Sequence, residues 1–188
     1  MLCSAYKFYG PHISFLYSRP GVLESLDPDR LVVQDQEAPY IIETGTLNHA
    51  SCAGVSAAID FISTLGEGES YREKLESAYL HISDHEFNLA KYLYESLDGF
   101  DKTTVIGPDF STRKRTPTVS FVHSEYSPQE VCALLAKQNI CAWDGHFYAL
   151  KAIQQLGLES RGGVTRLGIS LYNTRKEIDR VIEVIKSI

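Results

Sequence analysis

The side chains with the most chemical potential in this 188-residue chain lie near its two ends. Lys7 stands in the run "SAYKFYG", between Tyr6 and Phe8 and just ahead of the turn pair Gly10-Pro11. Two readings fit that setting. A lysine can lay its methylene stem along apolar neighbours and keep its ammonium in water. Alternatively, an amine held in a partly dry pocket loses its proton more readily. It then becomes a nucleophile that can form a Schiff base with a carbonyl compound. Towards the other end, Arg166 lies in "VTRLG". Its guanidinium fork can grip a carboxylate through two parallel hydrogen bonds, or it can make an ordinary surface ion pair.

Other reactive types carry less. His81 and His85 are one helical turn apart, with Asp84 and Glu86 beside them, but the H-E-x-x-H order is absent and a solvated helix face is expected. Cys3, Cys52, Cys132 and Cys141 have no C-x-x-C spacing, so thiols in a reducing compartment are expected, not a zinc site or disulfide framework. No metal is called for. The basic run Arg113-Lys114-Arg115, beside Pro117, reads as a solvated loop.

The elements that must position these groups announce themselves locally. Ser70-Tyr-Arg-Glu73, Ser127-Pro-Gln-Glu130 and Thr174-Arg-Lys-Glu177 are capping boxes, each opening a helix. In the first helix Leu75, Ala78, Ile82, Leu89, Leu93 and Leu97 follow helical spacing and Gly99 ends it; the last carries Ile178, Val181, Ile182 and Ile185. A further helix is expected from about Asn48 to Leu65. Extended segments are expected at Thr103–Ile106, Thr118–His123, Ile140–Trp143 and Val164–Leu171, with Lys7 just before a turn between two more. In the last segment Thr165 and Leu167 share one face and Arg166 the other, because strand side chains alternate. From about residue 70 onward this makes an α+β unit of helices on a small sheet.

Composition narrows the class. With 44% hydrophobic and 22% charged residues the chain is an ordinary globular one, and a net charge of −6 argues against a nucleic-acid surface. No apolar run approaches the roughly 20 residues needed to span a bilayer, and no signal-peptide pattern opens the chain, so a cytoplasmic protein is expected.

Three stretches in order, "SAYKFYGPHISFLY", "ETGTLNHASCAGVSAAIDFI" and "GVTRLGISLYNTRKEID", resemble the second half of class V aminotransferase-like proteins, the group of cysteine desulfurases and selenocysteine lyases. The resemblance implies an α/β fold: part of a fold type I, pyridoxal 5′-phosphate (PLP)-dependent enzyme, normally a homodimer about twice this long. Residues 1–68 would be a remnant of the large PLP-binding domain and 69–188 a small α+β C-terminal domain. It implies that Lys7 is the Schiff-base lysine and that Ser4 and Tyr6 are phosphate ligands. Thr46 would reach the neighbouring subunit's cofactor, although its chemistry alone fits a helix cap or turn. Arg166 would hold the substrate α-carboxylate. His146 and Trp143 would line a substrate pocket, with Trp143 equally suited to the core. One departure stands out. Tyr148, in "WDGHFYALKAI", occupies the position of the desulfurase cysteine, and a phenol cannot carry sulfur as a persulfide. The resemblance also leaves the ring-stacking group and the pyridine-nitrogen aspartate upstream of Met1, so the chain is expected to be a fragment. The alternative is a non-catalytic dimerisation or folding module derived from that family.

Overall fold

A computed structural model describes residues 1–111 and 115–188, so Arg113 and Lys114 of the basic run lie outside the described residues. The chain divides into two compact units, Met1–Ala78 and Tyr79–Ile188.

The first unit opens on a short hairpin. Strands β1 (Leu2–Ser4) and β2 (Ser14–Leu16) pair antiparallel, with Leu2 opposite Leu16 and Ser4 opposite Ser14. Between them Ala5–Phe8 form a 3-10 turn, so Lys7 lies on a helical turn and not in the extended segment the sequence suggested. The tip is tied by two bonds. Ala5 N–H donates to the Ile13 carbonyl (2.8 Å) and Gly10 N–H to the Ala5 carbonyl (2.9 Å). Gly10 is required there, because a Cβ would press on the buried Ala5 Cβ at 2.8 Å. Helix α1 (His49–Ser63) starts at Asn48, whose side chain accepts the Ser51 N–H at 3.0 Å. Its Gly54 faces Pro11, so the helix packs on the segment that follows Lys7.

Helix α2 (Tyr71–Asp98) begins with the expected capping box: Ser70 N–H donates to Glu73 at 2.9 Å and Glu73 N–H to Ser70 Oγ at 3.2 Å. In the second unit its residues Leu89, Ala90, Leu93 and Leu97 join a core over an antiparallel sheet. Strands β3 (Thr103–Ile106), β4 (Thr118–His123), β5 (Trp143–Gly145) and β6 (Val164–Gly168) run in the order β3-β4-β6-β5. Along β4 Val119, Phe121 and His123 are buried, the alternation of a half-covered strand. Helices α3 (Pro128–Lys137) and α5 (Arg175–Lys186) both carry complete capping boxes and bury Val131, Leu135, Ile178, Val181 and Ile185 in the same core. The short α4 (Leu150–Gln155) follows β5.

Two strand expectations are corrected. Ile140 does not start a strand: its N–H donates to the Leu135 carbonyl at 3.1 Å, closing the end of α3, and Asn139 takes a left-handed φ of 55°. Pairing with β6 begins only at Trp143. The last strand stops at Gly168, short of Leu171, because the Ser170 N–H turns to the Asn173 side chain (2.8 Å). Arg115 is no solvated loop residue either. Its guanidinium lies over Phe110 (4.5 Å) and donates to the carbonyls of Pro108 and Thr118. Among the described residues no helix is long and apolar enough to cross a membrane.

Candidate functional site

In the first unit the hairpin carries Lys7 and several hydroxyl-bearing residues close to it in the chain. Tyr6 and Lys7 share the 3-10 turn, and Lys7 Nζ lies 5.9 Å from the centre of the Tyr6 ring. Ser4, at the end of β1, has its hydroxyl 3.3 Å from that of Ser14 across the strand pair. Lys7 itself is exposed, so the described residues do not build the partly dry pocket that one reading of the sequence expected. What the turn provides is an accessible primary amine, with the hydroxyl groups of Ser4, Tyr6 and Tyr9 within three residues of it in the chain. His12 was missed in the sequence. Its ring stacks on Tyr6 with centroids 4.7 Å apart and planes 21° from parallel. Only the Gly10-Pro11 turn, which folds residue 12 back beside residue 6, hinted at it.

Thr46 lies exposed in the loop before α1. The helix-cap alternative for it is overturned, since Asn48 performs that role.

In the second unit β5 and β6 pair so that Trp143 stands opposite Arg166 and Gly145 opposite Val164. Beyond Gly145 the chain turns back over the sheet edge and makes a cleft of about 440 Å³. Trp143, Phe147, Tyr148, His146 and Arg166 line it. Arg166, from the sheet, and His146, from the loop beyond it, thus line one cleft. Trp143 is 68% exposed, which removes the core alternative. Phe147 is the second missed residue: the Arg166 guanidinium carbon lies 3.9 Å from the centre of its ring. Nothing in the spacing "HFY" marks it.

Of the other reactive groups, some are engaged elsewhere and some are open to solvent. His85 Nε2 lies 2.9 Å from the Asn173 carbonyl, at the entrance to α5. Burial, followed by the neighbouring Asp144, pushes the Cys132 thiol up to about 11, so this sulfur is a poor nucleophile. Cys141 is exposed and outside any strand, contrary to the expected one. Tyr148 stands fully in solvent.

The donor set suits an aldehyde-bearing, phosphorylated cofactor in type. An accessible amine can condense with the aldehyde, and hydroxyl groups near it can donate to an anion. In the second unit a guanidinium without a carboxylate in ion-pair reach among the described residues suits an anionic substrate group.

Comparison with known proteins gives one family, aminotransferase class-V, matching residues 1–181. A cysteine desulfurase of Serratia proteamaculans is 29% identical over 192 residues, covering 95% of this chain. This chain spans only 43% of that relative's length. The apo structure of a cysteine desulfurase from Thermococcus onnurineus superposes with a TM-score of 0.81 at 24% identity, over 99% of this chain and 46% of that one. A C-DES mutant with glycine covalently linked to its PLP cofactor superposes with a TM-score of 0.66 at 15% identity, over 96% of this chain and 43% of that one. The α/β architecture is therefore part of the fold of these enzymes.

Proposed function

We propose, for a chain that belongs to the class-V aminotransferase family, that it supplies the lysine and the carboxylate seat of a PLP-dependent site acting on an amino acid. The observation that carries this reading is the setting of Lys7. It is an exposed amine on a turn pinned at both ends, with hydroxyl donors in the adjoining residues. A 3-10 turn held by the Ala5–Ile13 and Gly10–Ala5 hydrogen bonds holds its backbone still.

The roles follow from chemistry. Lys7 would anchor the cofactor, and Ser4 and Tyr6 would donate to its phosphate. Thr46 would reach the site of the neighbouring subunit in a homodimer. Bound there, PLP would act as an electron sink for charge developing at the substrate Cα. Arg166 would hold the substrate α-carboxylate in the plane of its fork, fixing the orientation of Cα. His146 would flank the substrate, and the Lys7 amine would take or return a proton at Cα. Residues 1–68 would belong to the cofactor-binding domain and 69–188 to the substrate-closing one, in a cytoplasmic protein.

Among reactions of this kind we favour lyase or aminotransferase chemistry, including selenocysteine cleavage, over sulfur transfer through a protein thiol. Tyr148 has no sulfur, and the Cys132 thiol is held protonated.

A second reading, a non-catalytic dimerisation or folding module, draws on the apolar side chains exposed on the first unit, among them Leu2 (77%) and Tyr17 (59%). One experiment separates the two. PLP is added to the purified chain, the mixture is reduced with borohydride, and the modified peptide is mapped. Label on Lys7 that disappears in Lys7→Ala supports the cofactor site. A folded, dimeric chain that takes no label overturns it in favour of the module.

A further inference from the structure

The turn after β5 is costly to form. Gly145 takes φ 118°, and Phe147 and Tyr148 then take φ 50° and 61°, a region that L side chains adopt only against steric resistance. Two bulky aromatic residues in succession there need compensation. Part of it is local: Tyr148 N–H donates to His146 Nδ1 at 3.2 Å, and Ala149 N–H to the His146 carbonyl at 2.7 Å. The Tyr148 side chain contributes none, since it stands in solvent. What the reversal achieves is to bring the Phe147 ring to 3.9 Å from the Arg166 guanidinium carbon.

That contact uses the guanidinium in a particular way. At 3.9 Å the guanidinium carbon lies over the ring, within cation–π reach. A guanidinium carries five N–H donors, two of which can meet a carboxylate in parallel. Among the described residues no carboxylate forms an ion pair with Arg166, although Asp144 also lines the cleft. Arg166 is flanked on its neighbouring strands by Ser120 and Trp143. Asp144, the nearest carboxylate in the strand, has the opposite sense in the pleat and interacts with Cys132 of α3 instead.

We infer that Phe147 is a positioning residue: its ring holds the Arg166 fork flat and edge-outward, ready for an anionic substrate group. The inference rests on the reading of Arg166 as the carboxylate seat and assigns the reason the loop carries an aromatic residue in a left-handed conformation. Without the ring, a long flexible side chain must be ordered at the moment of binding, which weakens affinity.

The chain reports on this cleft by itself, because Trp143 is its only tryptophan and lines it. Trp143 fluorescence would be followed during titration with L-alanine at low ionic strength, with L-alaninamide, which lacks the carboxylate, as control. The expected result is a saturable change with L-alanine alone, abolished in Arg166→Met. Phe147→Leu should raise the midpoint roughly two- to fivefold, the range a cation–π contact supports, and Phe147→Tyr should restore it. A Phe147→Leu midpoint equal to that of the unsubstituted chain, with Arg166→Met inactive, overturns the positioning role and leaves the carboxylate seat standing. A titration unchanged by Arg166→Met, or no saturable response in the unsubstituted chain, removes the seat and the inference with it. A ligand-free measurement guards against variants that fail to fold. In the unsubstituted chain the Arg166 side-chain proton resonances should show the upfield ring-current shift of a cation over an aromatic face, and their absence overturns the inference.

Discussion

Gly163 lies so close to Gly145 that a methyl group on Gly163 would overlap the Gly145 carbonyl. The two backbones meet where β6 is about to pair with the end of β5, and both glycines have positive φ, 97° and 118°. Around Gly145 nothing lies within 4 Å of a would-be Cβ, so the two positions separate strain from collision. Gly145→Ala should cost about 1 kcal/mol through backbone strain alone. Gly163→Ala adds steric overlap with backbone and should cost roughly 2–4 kcal/mol. Urea unfolding midpoints test the order; equal midpoints would mean that the approach of the two backbone segments is relaxed in solution.

His123 makes stability depend on pH. It sits on the core side of β4, and its Nδ1 accepts the N–H groups of Glu125 (3.2 Å) and Tyr126 (3.3 Å), which leaves the proton on Nε2. That atom is buried and makes no hydrogen bond of full geometry among the described residues, although the Ile188 main chain is close enough to favour the protonated ring in part. Burial, and then the Lys102 charge, hold the imidazole below its ordinary value of 6.5. The unfolded chain therefore takes up the proton first as pH falls, and folding is favoured least on the acid side. This contribution should be complete above about pH 6.5 and decline as pH drops towards the folded-state value. His123→Leu should flatten the difference between urea midpoints at pH 7 and pH 5. An unchanged difference would assign the effect to other groups.

The thiols should differ in rate. With its thiol near 11, Cys132 holds roughly two orders of magnitude less thiolate at pH 8 than an ordinary thiol. Cys52 and Cys141 are exposed. Ellman's reagent should modify those two first, and Asp144→Asn should speed up Cys132 by removing the neighbouring charge. Rapid labelling of Cys132 in the unsubstituted chain would contradict its burial.

The capping boxes should be separable and additive. Ser127→Ala and Thr174→Ala remove hydrogen bonds to the N–H groups of Glu130 and Glu177, both 3.3 Å, and should each cost about 1 kcal/mol. Glu130 and Glu177 are held below the usual carboxylate range chiefly by the backbone N–H groups of Ser127 and Thr174. Their contribution is present above the ordinary carboxylate value and is lost as pH falls through the lowered one. Thermal unfolding of the single and double variants checks additivity.

These caps also mark the limit of what the amino-acid sequence by itself determined. A Ser or Thr and a Glu three residues later satisfy each other's backbone, so all three helix starts were readable without knowledge of the fold. The alternation of Thr118–His123 was equally local, as were the apolar stripes of α2 and α5. The family resemblance was legible as well, carried by short stretches in a fixed order. Tertiary structure decided the rest. The start of β5 depends on its register with β6, and Ile140 was lost to it because its N–H closes α3. The stacking of His12 on Tyr6, of Phe147 on Arg166 and the approach of Gly163 to Gly145 all join residues whose meeting depends on turns and strand pairing. A cap is completed within one helical turn, whereas a pair such as Phe147 and Arg166 exists only after two strands have aligned and a strained loop has closed over them.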